Sequence, residues 1–161
     1  MNLTIRDAVF EDAGTIAHNN AAMALETEHK LLDPATVRLG VQACIADPAK
    51  GAYFVVEDAA NGTLVGQLMI THEWSDWRNG DFWWIQSVYV APSARRAGVF
   101  RALYAHVEKL ARSTRGVCGL RLYVETENTR AQRTYENCGM RDAGYRVMEA
   151  DYSGATHPTK E

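Results

Sequence analysis

The chain has 161 residues, of which 47% are hydrophobic and 23% are charged, and its net charge is −3. This balance is that of a globular protein and excludes the disordered and fibrous classes. Folding at this length buries about 68–70% of the unfolded surface, so we expect one domain over residues 1–161, with a tail at 151–161 that frays.

The N-terminal segment carries charges where a signal peptide would need an apolar run, at Arg6, Asp7, Glu11 and Asp12. No stretch approaches the length of a transmembrane helix, so we expect a cytoplasmic protein with no membrane partner. The three cysteines show no CxxC spacing and the histidines have no metal-like spacing. Neither a disulfide framework nor a bound metal is therefore expected.

Charge is unevenly divided between the two halves of the chain. Residues 1–90 carry 5 basic and 12 acidic side chains, a net charge of −7, whereas residues 91–161 carry 12 basic and 8 acidic, a net charge of +4. The second half would suit an anionic ligand. The alternative is that this difference in surface charge has no function.

The first half of the chain reads as a strand and two helices. Leu3 and Ile5 alternate with polar neighbours, and apolar residues at helical spacing predict a helix from about Phe10 to Glu28. Asp33-Pro34 is typical of an N-cap followed by a first-turn proline, and it opens a second helix that runs to Asp47-Pro48.

Three strands are predicted next. Tyr53–Asp58 and Thr63–Thr71 are rich in β-formers and are joined across Asn61-Gly62, a strong hairpin signal. A polar connection at Glu73–Gly80 leads to a strand at Phe82–Val90, which Ala91-Pro92 ends.

The remaining elements alternate helix and strand. An amphipathic pattern predicts a helix from about Gly98 to Arg112, followed by a strand at Leu120–Val124. Asn128 opens a short helix that ends at Cys138 with Gly139 as a left-handed cap, and Tyr145–Ala150 forms a last strand. The order β-α-α-β-β-β-α-β-α-β predicts an α+β fold around a mixed sheet.

A strand, a basic loop and a helix start follow one another from Val88 to Arg101. Free N–H groups at the helix start, the helix dipole and three arginines would together hold a pyrophosphate. Neither GxxxxGK[ST] nor GxGxxG occurs, which disfavours ATP and NAD. A basic helix start with no ligand is the alternative.

This loop resembles the coenzyme A loop of the GNAT superfamily of acetyltransferases. The family pattern is Arg/Gln-x-x-Gly-x-Gly/Ala, and Arg95-Arg96-Ala97-Gly98-Val99-Phe100 matches its frame. Phe100 departs from it, since the family usually has a small residue there. The Phe100 side chain must then point away from the phosphates.

A second segment supports the same resemblance. Residues 128–140 are similar to the family's Asn-x-x-Ala-x-x-x-Tyr-x-x-x-Gly-Phe, with Asn128, Ala131, Tyr135 and Gly139 in place and Met140 replacing the phenylalanine. Ala131 and Tyr135 share one helix face. A core tyrosine is the alternative for Tyr135. The resemblance spans Leu3 to about Ala150 and implies a mostly antiparallel central sheet flanked by helices.

The resemblance implies direct attack of an amine on the acetyl thioester of acetyl-CoA, with both substrates bound together. Strand N–H groups near Val88 and Val90 would bind the carbonyl and pantetheine, Tyr135 would protonate the leaving thiolate, and Asn128 would lie on the pantetheine side. The expected coenzyme-binding residues are Val88, Val90, Arg95, Arg96, Ala97, Gly98, Val99, Phe100, Arg101, Asn128 and Ala131.

The general base and the acceptor site are less sharply indicated. Glu73 is the candidate base, and the alternatives are Asp76, Asp81, Glu26 and Glu28, any of which could activate an amine through water. Gln86 is an amide and cannot act as a base. The resemblance implies that Glu26, Glu28, Asp76 and Trp77 lie in the acceptor region, where carboxylates beside tryptophans would attract a cationic amine. A solvated acidic face and tryptophans packed in the core are the alternatives.

The expected partners are acetyl-CoA and an amine acceptor, with no nucleic acid, and a homodimer stays open. Two other functions remain at this point. One is a non-catalytic acyl-CoA-binding module, and the other is a transferase that uses a longer acyl chain.

Overall fold

A five-stranded sheet with helices on both faces forms the main part of the molecule. The computed structural model describes residues 2–153. Its strands are β1 (Leu3–Asp7), β2 (Ala52–Asp58), β3 (Thr63–Ser75), β4 (Gly80–Val90) and β5 (Val117–Arg121). Its helices are α1 (Ala13–Glu28), α2 (Pro34–Ala46), α3 (Val99–Ser113) and α4 (Thr129–Glu136), and short 3₁₀ turns occupy Phe10–Asp12 and Pro92–Ala94.

The described chain groups into two compact units, residues 2–122 and 123–153. The first unit contains all five strands and α1–α3, and the second contains α4. The assignment of one domain therefore stays a prediction. Residues 154–161 of the tail that we expected to fray lie outside the described residues.

The sheet has the strand order β1-β2-β3-β4-β5. Its first four strands pair antiparallel with their neighbours, while β5 runs parallel to β4 because α3 carries the chain back across the sheet. The predicted α+β fold with a mixed, mostly antiparallel sheet is confirmed.

Each face of the sheet is covered by helices. On one face, Tyr53 and Val55 of β2 pack with Ile16 of α1 and Val41 of α2. On the other face, α3 presents the fully buried Leu103 and other apolar residues at helical spacing. Successive side chains of each strand point to opposite faces, so the single sheet contributes residues to two cores.

Local sequence signals set several element boundaries as predicted. The Asp33 side chain accepts a hydrogen bond from the Thr36 N–H at 2.8 Å, and Pro34 occupies the first turn of α2. Gly62 adopts φ 70° in the hairpin between β2 and β3, a conformation that glycine takes without steric cost. Gly139 likewise adopts φ 86° after α4.

Three predicted boundaries are corrected by the structure. The strand predicted at Tyr145–Ala150 is irregular backbone, and Met148 in it is 90% exposed. Strand β5 ends at Arg121 rather than at Val124, and β3 continues to Ser75 through a segment that we had assigned to a connection. Each difference has one cause: a strand exists only where a neighbouring strand accepts its hydrogen bonds, and composition does not reveal that neighbour.

Gly66 in β3 lets α3 approach the sheet closely. A Cβ at this position would lie 2.6 Å from Cγ1 of Val99, the buried first residue of α3. A methyl group would therefore push the start of α3 away from β3.

We expect Gly66→Ala to lower the free energy of unfolding by about 1–3 kcal/mol, since overpacking shifts side chains and backbone. Gly40→Ala is the control, because Gly40 lies in α2 with nothing within 4 Å of an added Cβ. It should instead gain up to about 1 kcal/mol from helix propensity. Urea unfolding of both variants measures the difference, and equal stability of the two would contradict close packing at Gly66.

Candidate active site at the free edge of β4

One extra residue interrupts the pairing of β4 with β3. Gln67 lies opposite Tyr89 and Met69 opposite Gln86, so two steps along β3 match three steps along β4. Ser87, inside this bulge, has φ 48°, in the left-handed region that non-glycine residues seldom adopt. Sequence analysis did not predict the bulge, because a serine among β-formers gives no signal of it.

Beyond the bulge, β4 has a free edge within the unit formed by residues 2–122. Parallel pairing with β5 ends at Trp84 opposite Arg121, whereas β4 continues to Val90. The Ala91 N–H donates to the Val65 carbonyl at 2.9 Å, toward β3. Backbone groups alternate in direction along a strand, so the Val90 N–H points toward the free edge. Val88, the other strand residue predicted to bind the coenzyme, directly follows Ser87 in the bulge.

The start of α3 places further N–H groups next to this strand end. The first ladder bond runs from the Ala102 N–H to the Gly98 carbonyl at 3.0 Å, so the N–H groups of Val99, Phe100 and Arg101 precede the ladder. Gly98 adopts φ 81° and provides no side-chain cap. Such a helix start attracts anions, as the sequence predicted.

Phe100 is compatible with this helix start. Its ring lies beside that of Tyr104, with centroids 6.1 Å apart, one turn further along α3. The ring therefore packs along the side of the helix and its backbone N–H remains on the first turn.

Arg95 is bound to protein groups on two sides. Its two Nη atoms donate to the two carboxylate oxygens of Glu26 at 2.7 Å each, and its Nε donates to the Val90 carbonyl at 3.1 Å. The hydrogen bonds from Arg95 hold the pKa of Glu26 below its usual range. The structure thus joins a predicted acceptor residue to a predicted phosphate ligand. Arg96 and Arg101 of the same loop are exposed as well.

The other predicted acceptor residues are not gathered in one place. Glu28 pairs with Lys30 at 2.8 Å. Asp76 and Trp77 form the turn between β3 and β4, where Trp77 is 84% exposed and its N–H donates to Asp76 Oδ1. That turn adjoins Gly80, and the ten residue steps from Gly80 to Val90 place it about 30 Å from the Val90 end of β4. Within the described residues, Asp76 and Trp77 are therefore not brought together with Glu26 in one acceptor site.

Glu73, the predicted base, connects three strands. One of its carboxylate oxygens accepts from Arg121 Nη1 of β5 at 2.7 Å and the other from Trp84 Nε1 of β4 at 2.6 Å. The Arg121 guanidinium also lies 3.7 Å from the centre of the Phe82 ring. Each oxygen of Glu73 accepts one of these hydrogen bonds and keeps a second lone pair that can accept a proton.

The second unit presents the remaining predicted residues on α4. Asn128 caps this helix as predicted, since its Oδ1 accepts from the Ala131 N–H at 3.1 Å. Ala131 and Tyr135 are both half-buried. Burial, with a smaller contribution from Cys138, raises the pKa of Tyr135, so its phenol is protonated at neutral pH.

Two other kinds of site were sought in residues 2–153. No three His, Cys, Asp or Glu side chains there are arranged to hold a metal ion. In the same range, none of the helices combines the length and the apolar composition needed to cross a membrane.

The chain is similar to known acetyltransferases in both sequence and structure. The sequence profile of the Acetyltransferase (GNAT) family matches residues 15–140. The structure of a possible acetyltransferase from Clostridium difficile 630 is 42% identical in sequence and superposes with a TM-score of 0.86, covering 94% of this chain and 98% of that one. A comparison with curated proteins finds no match.

More distant structures share the fold alone. A GCN5-related N-acetyltransferase from Ralstonia eutropha JMP134 is 20% identical, with a TM-score of 0.73 and coverage of 92% and 99%. Glucosamine-6-phosphate N-acetyltransferase from Arabidopsis thaliana is 16% identical, with a TM-score of 0.72 and coverage of 93% and 99%. Fold and family together define the protein as an acyltransferase. The chain belongs to the GNAT acetyltransferase family.

Proposed function

We propose that the protein is an N-acetyltransferase that moves an acetyl group from acetyl-CoA to a primary amine in a ternary complex. The observation that carries the proposal is the free edge of β4 beyond its bulge, which leads directly into an N–H-rich, basic helix start. Strand-edge N–H groups suit the amides and thioester carbonyl of an acylated pantetheine, and the helix start suits its pyrophosphate.

The residues present fit such a ligand. The N–H groups at the start of α3 precede its hydrogen-bond ladder and suit phosphate oxygens, while the exposed Arg96 and Arg101 add positive charge. Arg95 contributes by fixing the loop, because it ties the Val90 carbonyl to α1 through Glu26. We assign Ala97 and Gly98 to the same loop and the N–H groups of Val88 and Val90 to the pantetheine arm. Asn128 and Ala131 are assigned by family resemblance.

In the reaction one bond forms and one breaks, the amine loses a proton and the departing thiolate gains one. The amine lone pair attacks the thioester carbonyl carbon, the C–N bond forms, and the C–S bond breaks with its electron pair leaving on sulfur. We assign acceptance of the proton lost by the amine, through intervening waters, to Glu73, and by family resemblance we assign protonation of the thiolate to the Tyr135 phenol. Backbone N–H groups on β4 stabilise the oxyanion between these steps.

For the acceptor, we propose a cationic primary amine. The support is the net charge of −7 on residues 1–90, which would attract cations to the surface that these residues form. Since Glu26 and Glu28 are already paired, the attraction is assigned to the field of the region rather than to one carboxylate.

The function is tested by incubating the protein with acetyl-CoA and a panel of cationic, neutral and acidic primary amines while measuring free thiol and acetylated product. Amine-dependent thiol release, fastest with cationic amines, is expected. Coenzyme binding without turnover on any amine would indicate a binding module instead, and faster turnover with longer acyl-CoA would indicate a different donor.

Reversing the loop charges should abolish most coenzyme binding. Each arginine–phosphate contact is a charge-assisted hydrogen bond, so Arg96→Glu with Arg101→Glu should weaken coenzyme A binding by about 100-fold or more. Calorimetry at two salt concentrations measures it, and the affinity of the unaltered protein should fall at the higher salt. The control is Lys109→Glu with Arg115→Glu, an equal charge change beginning about 12 Å further along α3. Equal losses in both double variants would contradict a phosphate site.

Tyr135→Phe should reduce turnover more than it weakens acetyl-CoA binding. The phenol proton is needed mainly as sulfur departs, so its loss raises the barrier without removing a ground-state contact. Steady-state kinetics with one accepted amine, alongside calorimetry, separates the two quantities. Tyr145→Phe, which removes an exposed phenol of the same unit, should leave both unchanged. An unaltered turnover number in Tyr135→Phe, with chemistry rate-limiting, rules out Tyr135 as the acid.

The role of Glu73 as the general base is tested by comparing a substitution of Glu73 with one of its ion-pair partner, Arg121. Glu73→Gln removes the proton acceptor, whereas Arg121→Gln breaks the same ion pair and keeps the carboxylate. If Glu73 is the base, the first variant should lose about 10²–10⁴ in turnover and the second much less. The turnover numbers of both, measured as a function of pH, decide the matter. Equal losses would show that the strand connection matters and that Glu73 is not the base.

A further inference from the structure

Two glutamines lie on the same face of the sheet at the β4 bulge. Gln67 of β3 is opposite Tyr89, and Gln86 of β4 is opposite Met69. Residues directly opposite each other on antiparallel strands share a face, as do residues two apart on one strand. Because Gln67 bonds to Asn19 of α1, both glutamines lie on the face that α1 and α2 cover.

The amide of Gln67 is used entirely inside the protein. Its side chain is buried, with only 1% exposed. Gln67 Oε1 accepts from Asn19 Nδ2 at 2.9 Å. Its Nε2 donates to Asn20 Oδ1 at 2.8 Å and to the Ile16 carbonyl at 3.4 Å. Gln67 is therefore explained as a buried connection between α1 and β3.

Gln86 differs from Gln67, because its amide oxygen accepts no hydrogen bond from the protein. Gln86 Nε2 donates to Thr71 Oγ1 of β3 at 2.5 Å, which orients the side chain. Within residues 2–153 no group donates to Gln86 Oε1, and no buried side-chain oxygen in that range lacks a partner. This oxygen therefore reaches solvent, although the residue is half-buried. An oriented amide with an accessible carbonyl is suited to accept a hydrogen bond from a ligand.

The position of Gln86 along β4 suits the acceptor amine. It lies two residues, about 7 Å of strand, before Val88, whose N–H is assigned to the acylated pantetheine. During attack, the thioester oxygen lies about 3 Å from its N–H donor, and the amine nitrogen about 3 Å from the carbonyl carbon. A hydrogen-bond acceptor for that nitrogen then lies within about 10 Å of the strand donor. Because the Gln86 side chain starts about 7 Å from Val88, its amide is close enough to be that acceptor.

The proposed coenzyme site lies on the other face of the sheet from Gln86. A side chain at Gly66 of β3 would meet Val99 at the start of α3, so α3 and the phosphate site assigned to it lie on the face opposite Gln86. The coenzyme then reaches the free edge of β4 from the α3 face, and the amine has to approach from the α1 face. Glu73, the proposed base, is on the Gln86 face, two residues from Thr71 on β3.

We propose that Gln86 binds the acceptor and selects for primary amines: its Oε1 accepts a hydrogen bond from one N–H of the attacking nitrogen. A neutral primary amine attacks with its lone pair and carries two N–H bonds. One proton is lost through water to Glu73, and the other N–H, which the acetylated product keeps, is the one that Gln86 binds. A secondary amine has no second N–H, so the Gln86 carbonyl would lose this partner.

An amide suits this task better than a carboxylate does. A carboxylate beside the amine would stabilise the ammonium form, which has no lone pair and cannot attack. The uncharged Gln86 accepts the same hydrogen bond without that effect. This inference rests on the proposed function and adds to it the residue that recognises the amine.

The test compares Gln86→Met with Thr71→Val, because a glutamine–threonine pair across two strands also stabilises a sheet. Both variants break the hydrogen bond between Gln86 and Thr71, and only the first removes the amide carbonyl. The substrates are one accepted primary amine and its N-methyl derivative. In Gln86→Met, kcat/KM should fall about tenfold for the primary amine and less than about threefold for the N-methyl derivative. In Thr71→Val, the preference for the primary amine should stay within about threefold of that of the unaltered protein.

Coenzyme A binding, measured by calorimetry, should be the same in both variants and in the unaltered protein, because the phosphates are assigned to α3. Equal losses of activity in the two variants would show that the pair only stabilises the sheet and would overturn the role of Gln86. Equal losses on the two amines in Gln86→Met would overturn it as well.

A readout without turnover separates this inference from the proposed function. The side-chain NH₂ signal of Gln86 in nuclear magnetic resonance is identified by its loss in Gln86→Met. It should shift when the primary amine is added to the protein saturated with coenzyme A, and not with the trimethylammonium derivative, which has no N–H. An unshifted signal overturns the role of Gln86 whether or not the protein is active. Failure to acetylate any amine, with the signal shifted, overturns the proposed function alone.

Discussion

The extra residue of β4 is the constraint on which the site depends. A continuous ladder would keep β4 in regular register with β3 and flat against its neighbours. The bulge at Ser87 bends the strand, and beyond Trp84 the strand continues with one edge free of β5. Close packing of Val99 against Gly66 then places the start of α3 near the end of that edge. Strand donors and helix donors become neighbours for this reason.

Two of the three arginines in the basic loop, and not all three, are left to bind a ligand. Arg95 is used within the protein, bonding Glu26 and the Val90 carbonyl. Exposed ion pairs contribute little to stability, so the value of this one is that it fixes the loop. The charge left for a ligand comes from Arg96 and Arg101, which flank the uncapped helix start.

Polar interactions also organise the sheet away from this loop. Glu73 connects β3 to β4 and β5 through Trp84 and Arg121, and the buried amides around Gln67 connect α1 to the sheet. Both arrangements fix the relative positions of strands more exactly than apolar contacts do, because hydrogen bonds are directional. A site built from backbone N–H groups benefits from such rigid support.

The sequence by itself determined the features that depend on neighbouring residues. Asp33-Pro34 starts α2, Gly62 forms the hairpin, and the basic loop precedes an amphipathic α3, because caps, turns and helical periodicity are local properties. The motif around Asn128 was predictable for the same reason, since its side chain caps the helix that it opens.

Only the tertiary structure decided which distant groups meet. Nothing near Arg95 indicates that Glu26 is its partner, and nothing near Ser87 indicates a bulge. The irregular Tyr145–Ala150 segment has strand-like composition, yet a strand requires a ladder partner elsewhere in the chain. These outcomes depend on register and on the packing of whole elements, which are set by contacts between residues far apart in sequence.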